Sequence, residues 1–307
     1  MKDILVLYYS QSGQLREILT NLVRPLELDE NCTITVQEIC PEESYQFPWN
    51  KKDFIQVFPE SYLQIPKPNK SIPDAVKNKK YDLIIFGYTV WYLSPSIPIN
   101  SFLKGDDAKV LLKDTPVITV NGSRNMWILT QEKVKRLLVD CKAELVGNIA
   151  FVDRHWNHIS VITIVHWMMG GKKTKYLGVF PKPGVSDKDI KEAGKFGLIV
   201  KKYLFQENFE QLQETLVKDG AVRVKPFLIR SDKSGNHIFS KWSSYIYKVG
   251  LKSSKKRAKL LNFFEYYLQF AIWVFVPIVF IIFLLTYLPF YGRIKKDIKY
   301  YQSTRLR

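Results

Sequence analysis

The chain is poor in cysteine and in acidic residues. Among 307 residues there are three cysteines, Cys32, Cys40 and Cys141. The number is odd and matches no CxxC or Cys/His ligand spacing, which argues against a disulfide framework or a metal site and favours a reducing compartment. Glycine and proline number only 15 each, against 46% hydrophobic and 14% aromatic residues. That balance excludes collagen-like, low-complexity and wholly disordered chains. No leader pattern opens the sequence, because Met1-Lys2-Asp3 runs straight into an apolar, strand-like stretch.

Acid is scarcest at the far end. The whole chain carries 46 Lys/Arg against 29 Asp/Glu, a net charge of +17. Residues 241–307 hold 13 of the basic side chains and only Glu265 and Asp297 in opposition, so +11 of the excess lies there. A nucleic-acid binder spreads such charge over a folded face and interleaves exposed aromatics. Here the excess flanks an apolar segment, so no nucleic acid is expected and a membrane surface is.

That segment is Phe270 to Phe290, FAIWVFVPIVFIIFLLTYLPF, 21 residues without a charge. About 20 apolar residues match the hydrocarbon thickness of a bilayer. Basic residues stand on both sides, among them Lys255, Lys256 and Lys259 before it and Arg293, Lys295 and Lys296 after it. The positive-inside rule therefore assigns no orientation. A spanning helix is the first reading, and a re-entrant or interfacial anchor the alternative. In both, the bulk of the chain sits at the cytoplasmic face of the cell membrane.

The first 155 residues repeat strand, loop and helix. Asp3–Tyr9 reads as a strand, followed by Ser10-Gln11-Ser12-Gly13-Gln14 and then Leu15, Ile18, Leu19 and Leu22 at helical spacing. Thr33–Ile39 alternates as a second strand. Tyr81–Tyr88, Pro116–Asn121 and Leu145–Val152 are apolar runs typical of parallel strands covered on both faces. Val134, Leu137, Leu138 and Cys141 mark an intervening helix. The pattern predicts an α/β doubly wound parallel sheet. Residues 41–80, with six prolines and a cluster of aromatics, interrupt it as an insertion that is either a self-packed loop or a lid. Ser186-Asp187-Lys188-Asp189 opens a later helix in capping-box fashion. Residues 1–220 thus form one domain, 221–260 a basic juxtamembrane connector, and 261–307 the membrane segment and a basic tail.

In such sheets ligands bind beyond the carboxyl ends of the strands. The loop Ser10–Gln14 offers two hydroxyls, a glycine and helix N-terminal N–H groups, which suits a terminal phosphate. It has neither the dinucleotide glycine fingerprint nor the Lys-Ser/Thr of a P-loop. Thr89-Val90-Trp91-Tyr92 sets two aromatics at the third strand's end, and Asn121-Gly122-Ser123-Arg124 ends the fourth with polar groups.

These loops resemble those of the flavodoxin-like FMN proteins, whose phosphate loop reads Ser/Thr-x-Ser/Thr-Gly-x-Ser/Thr. Here it is SQSGQL, with Leu15 in place of the last hydroxyl. The resemblance implies strand order 2-1-3-4-5, FMN as cofactor, Trp91 and Tyr92 beside the isoalloxazine, and residues 121–124 at its pyrimidine edge. A longer set of blocks, YYSQSGQL, FPW, VFPES, VWYLSPSIPINSFL, RNMW and VGNIAFVDR, resembles the dialkylresorcinol condensing enzyme family of bacterial dialkylresorcinol and flexirubin-type pigment pathways. That implies a hydrophobic two-chain substrate, and a ketosynthase and acyl carrier protein as pathway partners.

Flavin chemistry then suggests oxidative aromatisation of a dialkyl-cyclohexane-1,3-dione. Candidate bases or enolate stabilisers are Asp153, Arg154, His155 and His158, with Tyr92 as a donor to a carbonyl oxygen. A membrane NAD(P)H:quinone-type reductase and a non-catalytic carrier or adaptor are the rival readings.

Overall fold

The computed structural model describes all 307 residues. Strand β1 (Lys2–Tyr8) lies inside the sheet, and its side chains alternate as a strand's must. Ile4, Val6 and Tyr8 enter one buried cluster, whereas Leu5, Leu7 and Tyr9 enter another on the opposite face. The remaining parallel strands are β2 (Cys32–Glu38), β3 (Leu83–Trp91), β4 (Pro116–Ser123) and β5 (Glu144–Val152). Their order is β2-β1-β3-β4-β5, the expected flavodoxin-like order, and a two-residue stretch, Ser94–Pro95, pairs back on the end of β3.

Helix α1 (Gln14–Glu27) covers the first face with Leu15, Ile18, Leu19, Leu22, Val23 and Leu26. Each such side chain contributes about 1.5–3 kcal/mol by leaving water. The insertion 41–80 contains α2 (Lys51–Gln56) and α3 (Phe58–Tyr62). The second face is covered by α4 (Ile97–Lys104) and α5 (Ile128–Asp140). The apolar run after β5 is α6 (Asn157–Gly170), a helix with Ser160 and Thr163 fully buried.

Ser186 does cap a helix, its Oγ accepting from Asp189 N at 3.0 Å. That helix stops at Lys191, and a second, α7 (Gly194–Phe205), packs inward with Phe196, Val200, Tyr203 and Leu204. Gly197 explains the close crossing of α7 over α1: a Cβ there would lie 1.9 Å from the Leu22 carbonyl oxygen. Helix α8 (Leu212–Lys218) ends before Gly220, whose φ is 82°.

Residues 221–260, the expected connector, consist largely of α9 (Pro226–Gly250), packed on α3 and α5, and the start of α10 (Ser254–Phe270). Phe58 stacks on Phe264 of α10 with ring centroids 4.0 Å apart. The chain then continues helically through a wider π-turn, Ala271–Phe275, into α11 (Val276–Tyr287). Pro277 has no N–H for the ladder, and the π-turn just before it is the kind of local widening that accommodates a proline.

The basic tail comes back. Helix α12 (Tyr291–Tyr301) returns to the sheet domain, where Tyr301 is buried in the first core cluster. Gln302 donates to the Val222 carbonyl at 3.1 Å, Lys135 donates to that of Arg305 at 2.8 Å, and Tyr300 bonds Glu132.

Candidate functional site at the carboxyl ends of the strands

The turn between β1 and α1 is built to receive an anion. Gly13 takes φ 82° at the helix N-cap, a conformation that costs glycine least, and a Cβ there would meet open space. The backbone N–H groups of Gln11 through Leu15 have no acceptor within the protein; Arg16 N bonds Ser10 Oγ and Glu17 N begins the helical ladder on the Gly13 carbonyl. Five consecutive unfilled donors at a helix N-terminus can cradle a phosphate. Leu15, which stands where a hydroxyl was expected, is buried and packs into the core.

Two glutamines brace that turn. Gln11 accepts from Trp49 Nε1 at 3.0 Å and donates to the Gln46 carbonyl at 3.1 Å. Gln14 accepts from Val185 N at 3.1 Å and donates to the Val185 carbonyl at 3.4 Å. The cradle is thereby tied to the insertion on one side and to the 184–185 loop on the other. Helix α6 joins the insertion from its far end, since Trp49 N donates to the Met168 carbonyl at 2.7 Å and Phe47 meets Trp167 edge-on at 6.0 Å.

The aromatics at the end of β3 turn inward. Trp91 is packed by Tyr9, Tyr45 and Trp49, with ring centroids 6.0, 4.9 and 5.4 Å away. Tyr92 has φ 46° and Leu93 φ 59°, and this left-handed pair swings the Tyr92 ring against Phe54 and Phe58. Its hydroxyl donates to the Phe54 carbonyl at 2.7 Å, and burial holds its pKa well above that of an ordinary tyrosine. Trp91 is buried, and Tyr92 is partly exposed. Beside them, Thr89 Oγ1, Tyr45 Oη and Asn125 Oδ1 are buried without a partner. Thr89 lies near the end of β3 and Asn125 just beyond β4, and such unmatched atoms suit a ligand rich in donors and acceptors.

The end of β4 divides into two parts. Asn121 and Ser123 belong to an internal polar ladder: Ser123 Oγ donates to Asn121 Oδ1, Asn121 Nδ2 to Tyr88 Oη, and Tyr88 Oη to Gln131 Oε1 at 2.7 Å. Gly122 gives room to Ile18 of α1, which a Cβ would approach to 3.3 Å. Arg124 and Asn125 instead reach α6, bonding Asn157 Oδ1 at 2.9 and 3.1 Å. Desolvation lowers the Arg124 pKa to about 10, opposed by the Asp153 charge.

The residues after β5 separate. Asp153 is buried, accepting from His155 N at 2.9 Å and Ser160 Oγ at 2.7 Å. Arg154 pairs with Asp189 at 2.9 Å, and the His155 ring is exposed. His158, next to Asn157, lies 3.1 Å from the Ile272 carbonyl and 5.1 Å from the Trp273 ring centroid. With Nε2–H donated to that carbonyl, the neutral ring keeps Nδ1 free as a proton acceptor. Asn125 and Asn157 escaped the sequence reading, as did the bracing bonds of Gln11 and Gln14 within the loop it singled out, because amide partners carry no spacing signal of their own.

A cavity of about 580 Å³ lies between residues 43–60 and the start of α10, where Arg257 and Leu261 line it. Trp49 and Tyr45 line it, so these rings form a wall shared with the Trp91 cluster.

No family model matches the chain, and no curated protein does. Several solved structures are similar in outline. A flavoprotein from Lactobacillus acidophilus NCFM in complex with FMN is 19% identical with a TM-score of 0.39, covering 50% of this chain and 94% of the other. A putative flavoprotein from Bacteroides eggerthii DSM 20697 is 20% identical with a TM-score of 0.39, covering 49% and 88%. RosB with bound 8-demethyl-8-formylriboflavin-5'-phosphate is 10% identical with a TM-score of 0.34, covering 73% and 92%. The fold assignment itself rests on the strand order.

Proposed function

We propose that this protein is an FMN-dependent oxidoreductase of dialkylresorcinol biosynthesis, associated with the cytoplasmic face of the membrane, that aromatises a dialkyl-cyclohexane-1,3-dione. The observation that carries the cofactor is the row of five unfilled N–H donors from Gln11 to Leu15, which fits a mononucleotide phosphate and has no use within the fold. Support for the ring's position comes from Thr89 and Asn125, whose unpartnered atoms await a polar ligand. FMN bound there would accept a hydride from the ring carbon while a base takes the accompanying proton, two hydrogens in all. His158 is the base in this reading, through Nδ1, and Arg124 the cation for the developing enolate oxygen. Pathway partners would be a ketosynthase and an acyl carrier protein that assemble the dione.

A second reading has one observation in its favour. Trp91 and Tyr92 are both covered by protein aromatics, as a flavodoxin-like adaptor without a flavin would have them.

The deciding experiment is the visible spectrum of the detergent-purified protein, before and after FMN and then an anaerobic dialkyl-cyclohexanedione. Bleaching by the dione supports the aromatase, and a His158→Gln variant should keep the flavin but bleach about 100-fold more slowly. Bleaching by NAD(P)H alone assigns a reductase. Failure to take up FMN leaves the adaptor.

A further inference from the structure

The 34 residues Ser254–Tyr287 form one helical run, which at 1.5 Å per residue is about 50 Å long. Were it to span a bilayer, the chain on its two sides would lie in different compartments. Its contacts run the other way. Near its start, Arg257 bonds Glu60 at 2.8 Å and Glu265 bonds Lys51 at 2.7 Å. Midway, the Ile272 carbonyl meets His158. Towards its end, Phe280 and Phe283 pack on Phe227 at 4.9 and 5.6 Å. Beyond it, Asp297 bonds Lys233 at 3.0 Å and Tyr301 enters the sheet domain's core. The same body therefore touches the helix near its start, midway and near its end, with α9 antiparallel beside it.

The other side of the helix faces outward. From Tyr266 to Gly292 there is no charged residue. Along this face Ile278, Ile281, Leu285 and Leu288 are 47%, 57%, 76% and 80% exposed. So large an apolar face needs a cover. The charges at its two ends say which. Lys255, Lys256 and Lys259 at one end, and Arg293, Lys295 and Lys296 at the other, are exposed and make no salt bridge.

We propose that this face lies flat in one leaflet of an anionic bilayer, its apolar side chains about 5–10 Å below the headgroups and both basic ends among the phosphates. The protein is then monotopic, with residues before and after the helix in the same compartment. Charge on both flanks, which defeats a positive-inside assignment, is what a helix parallel to one surface requires. The inference is independent of the flavin and of the substrate.

The test uses the full chain and sealed vesicles of phosphatidylcholine with or without phosphatidylglycerol. Sedimentation should show binding that is at least tenfold stronger with the anionic lipid and is lost on Leu285→Asp/Leu288→Asp. Both positions are exposed, so the variant should unfold in detergent at the parent's temperature. Tags at the two termini should be cleaved together by a protease outside the vesicles. Protection of the C-terminal tag alone would overturn the proposal in favour of a span. Unchanged binding by the double variant, or a detergent-free dimer that ignores vesicles, would overturn it as well.

Discussion

Trp49 Nε1 donates to Gln11 Oε1 at 3.0 Å, and through that bond the insertion 41–80 is fastened to the phosphate cradle. The aromatic cluster of the insertion thus positions a backbone turn more than thirty residues earlier in the chain. Trp49→Phe keeps the ring and removes the donor. Loss of one such bond is worth about 1 kcal/mol, so FMN affinity should fall about fivefold while the fold persists. Titration by quenching of flavin fluorescence measures it, and unaltered affinity would show that the brace does not govern the cradle.

Tyr92 separates packing from chemistry. Its hydroxyl is spent on the Phe54 carbonyl inside an aromatic cluster. Tyr92→Phe should therefore lower stability by about 1 kcal/mol, since it leaves that carbonyl unpaired. Flavin reduction by the dione should be unchanged. A slowed reduction at full stability would mean the hydroxyl turns towards substrate in the working enzyme.

Among the glycines, Gly197 leaves the least room for a side chain. A Cβ 1.9 Å from the Leu22 carbonyl oxygen must push α7 off α1, because neither atom belongs to a flexible side chain. Gly197→Ala should cost about 3 kcal/mol in denaturant unfolding. Gly13→Ala meets open space and carries only the penalty of its left-handed backbone, about 1 kcal/mol. The order of the two losses is the prediction.

Asp232 makes stability depend on pH. It is fully buried on α9, and desolvation raises its pKa to about 6 from the ordinary 3.8, although Leu129 N and Asn236 Nδ2 donate to it. A carboxyl raised on folding contributes stability that is complete below its unfolded pKa and is lost as pH rises through the folded one. Between about pH 4 and pH 6 this group should therefore withdraw on the order of 2–3 kcal/mol. Asp232→Asn should flatten that slope in urea midpoints. An equally steep slope in the variant would assign the effect to other groups.

Much of the sheet domain was legible because its signals are local. The five apolar runs fall on the five strands within two or three residues, and Leu15, Ile18, Leu19 and Leu22 pack as the helical period requires. The turn between β1 and α1 was equally plain, since Gly13 and the small polar residues announce it. What was not legible depends on long-range geometry. That Tyr92 turns inward follows from two left-handed residues, neither of them glycine, at the end of β3. The return of α12 joins Tyr300 to Glu132 and Gln302 to Val222, pairs 168 and 80 residues apart that no periodicity links. Asp297, counted as a stray acid in a basic tail, binds both Lys233 and Arg307.

The tail's docking has a consequence for synthesis. The long apolar helix leaves the ribosome before α12 does, so for a time it is fastened to the domain at its leading end and free at the other. During that interval the side of the helix that Phe227 later covers is open to the bilayer, which competes with the nascent body for it. Burial of Tyr301 and the bonds of Gln302 end the competition, and act as the latch that decides how deeply the helix can sink.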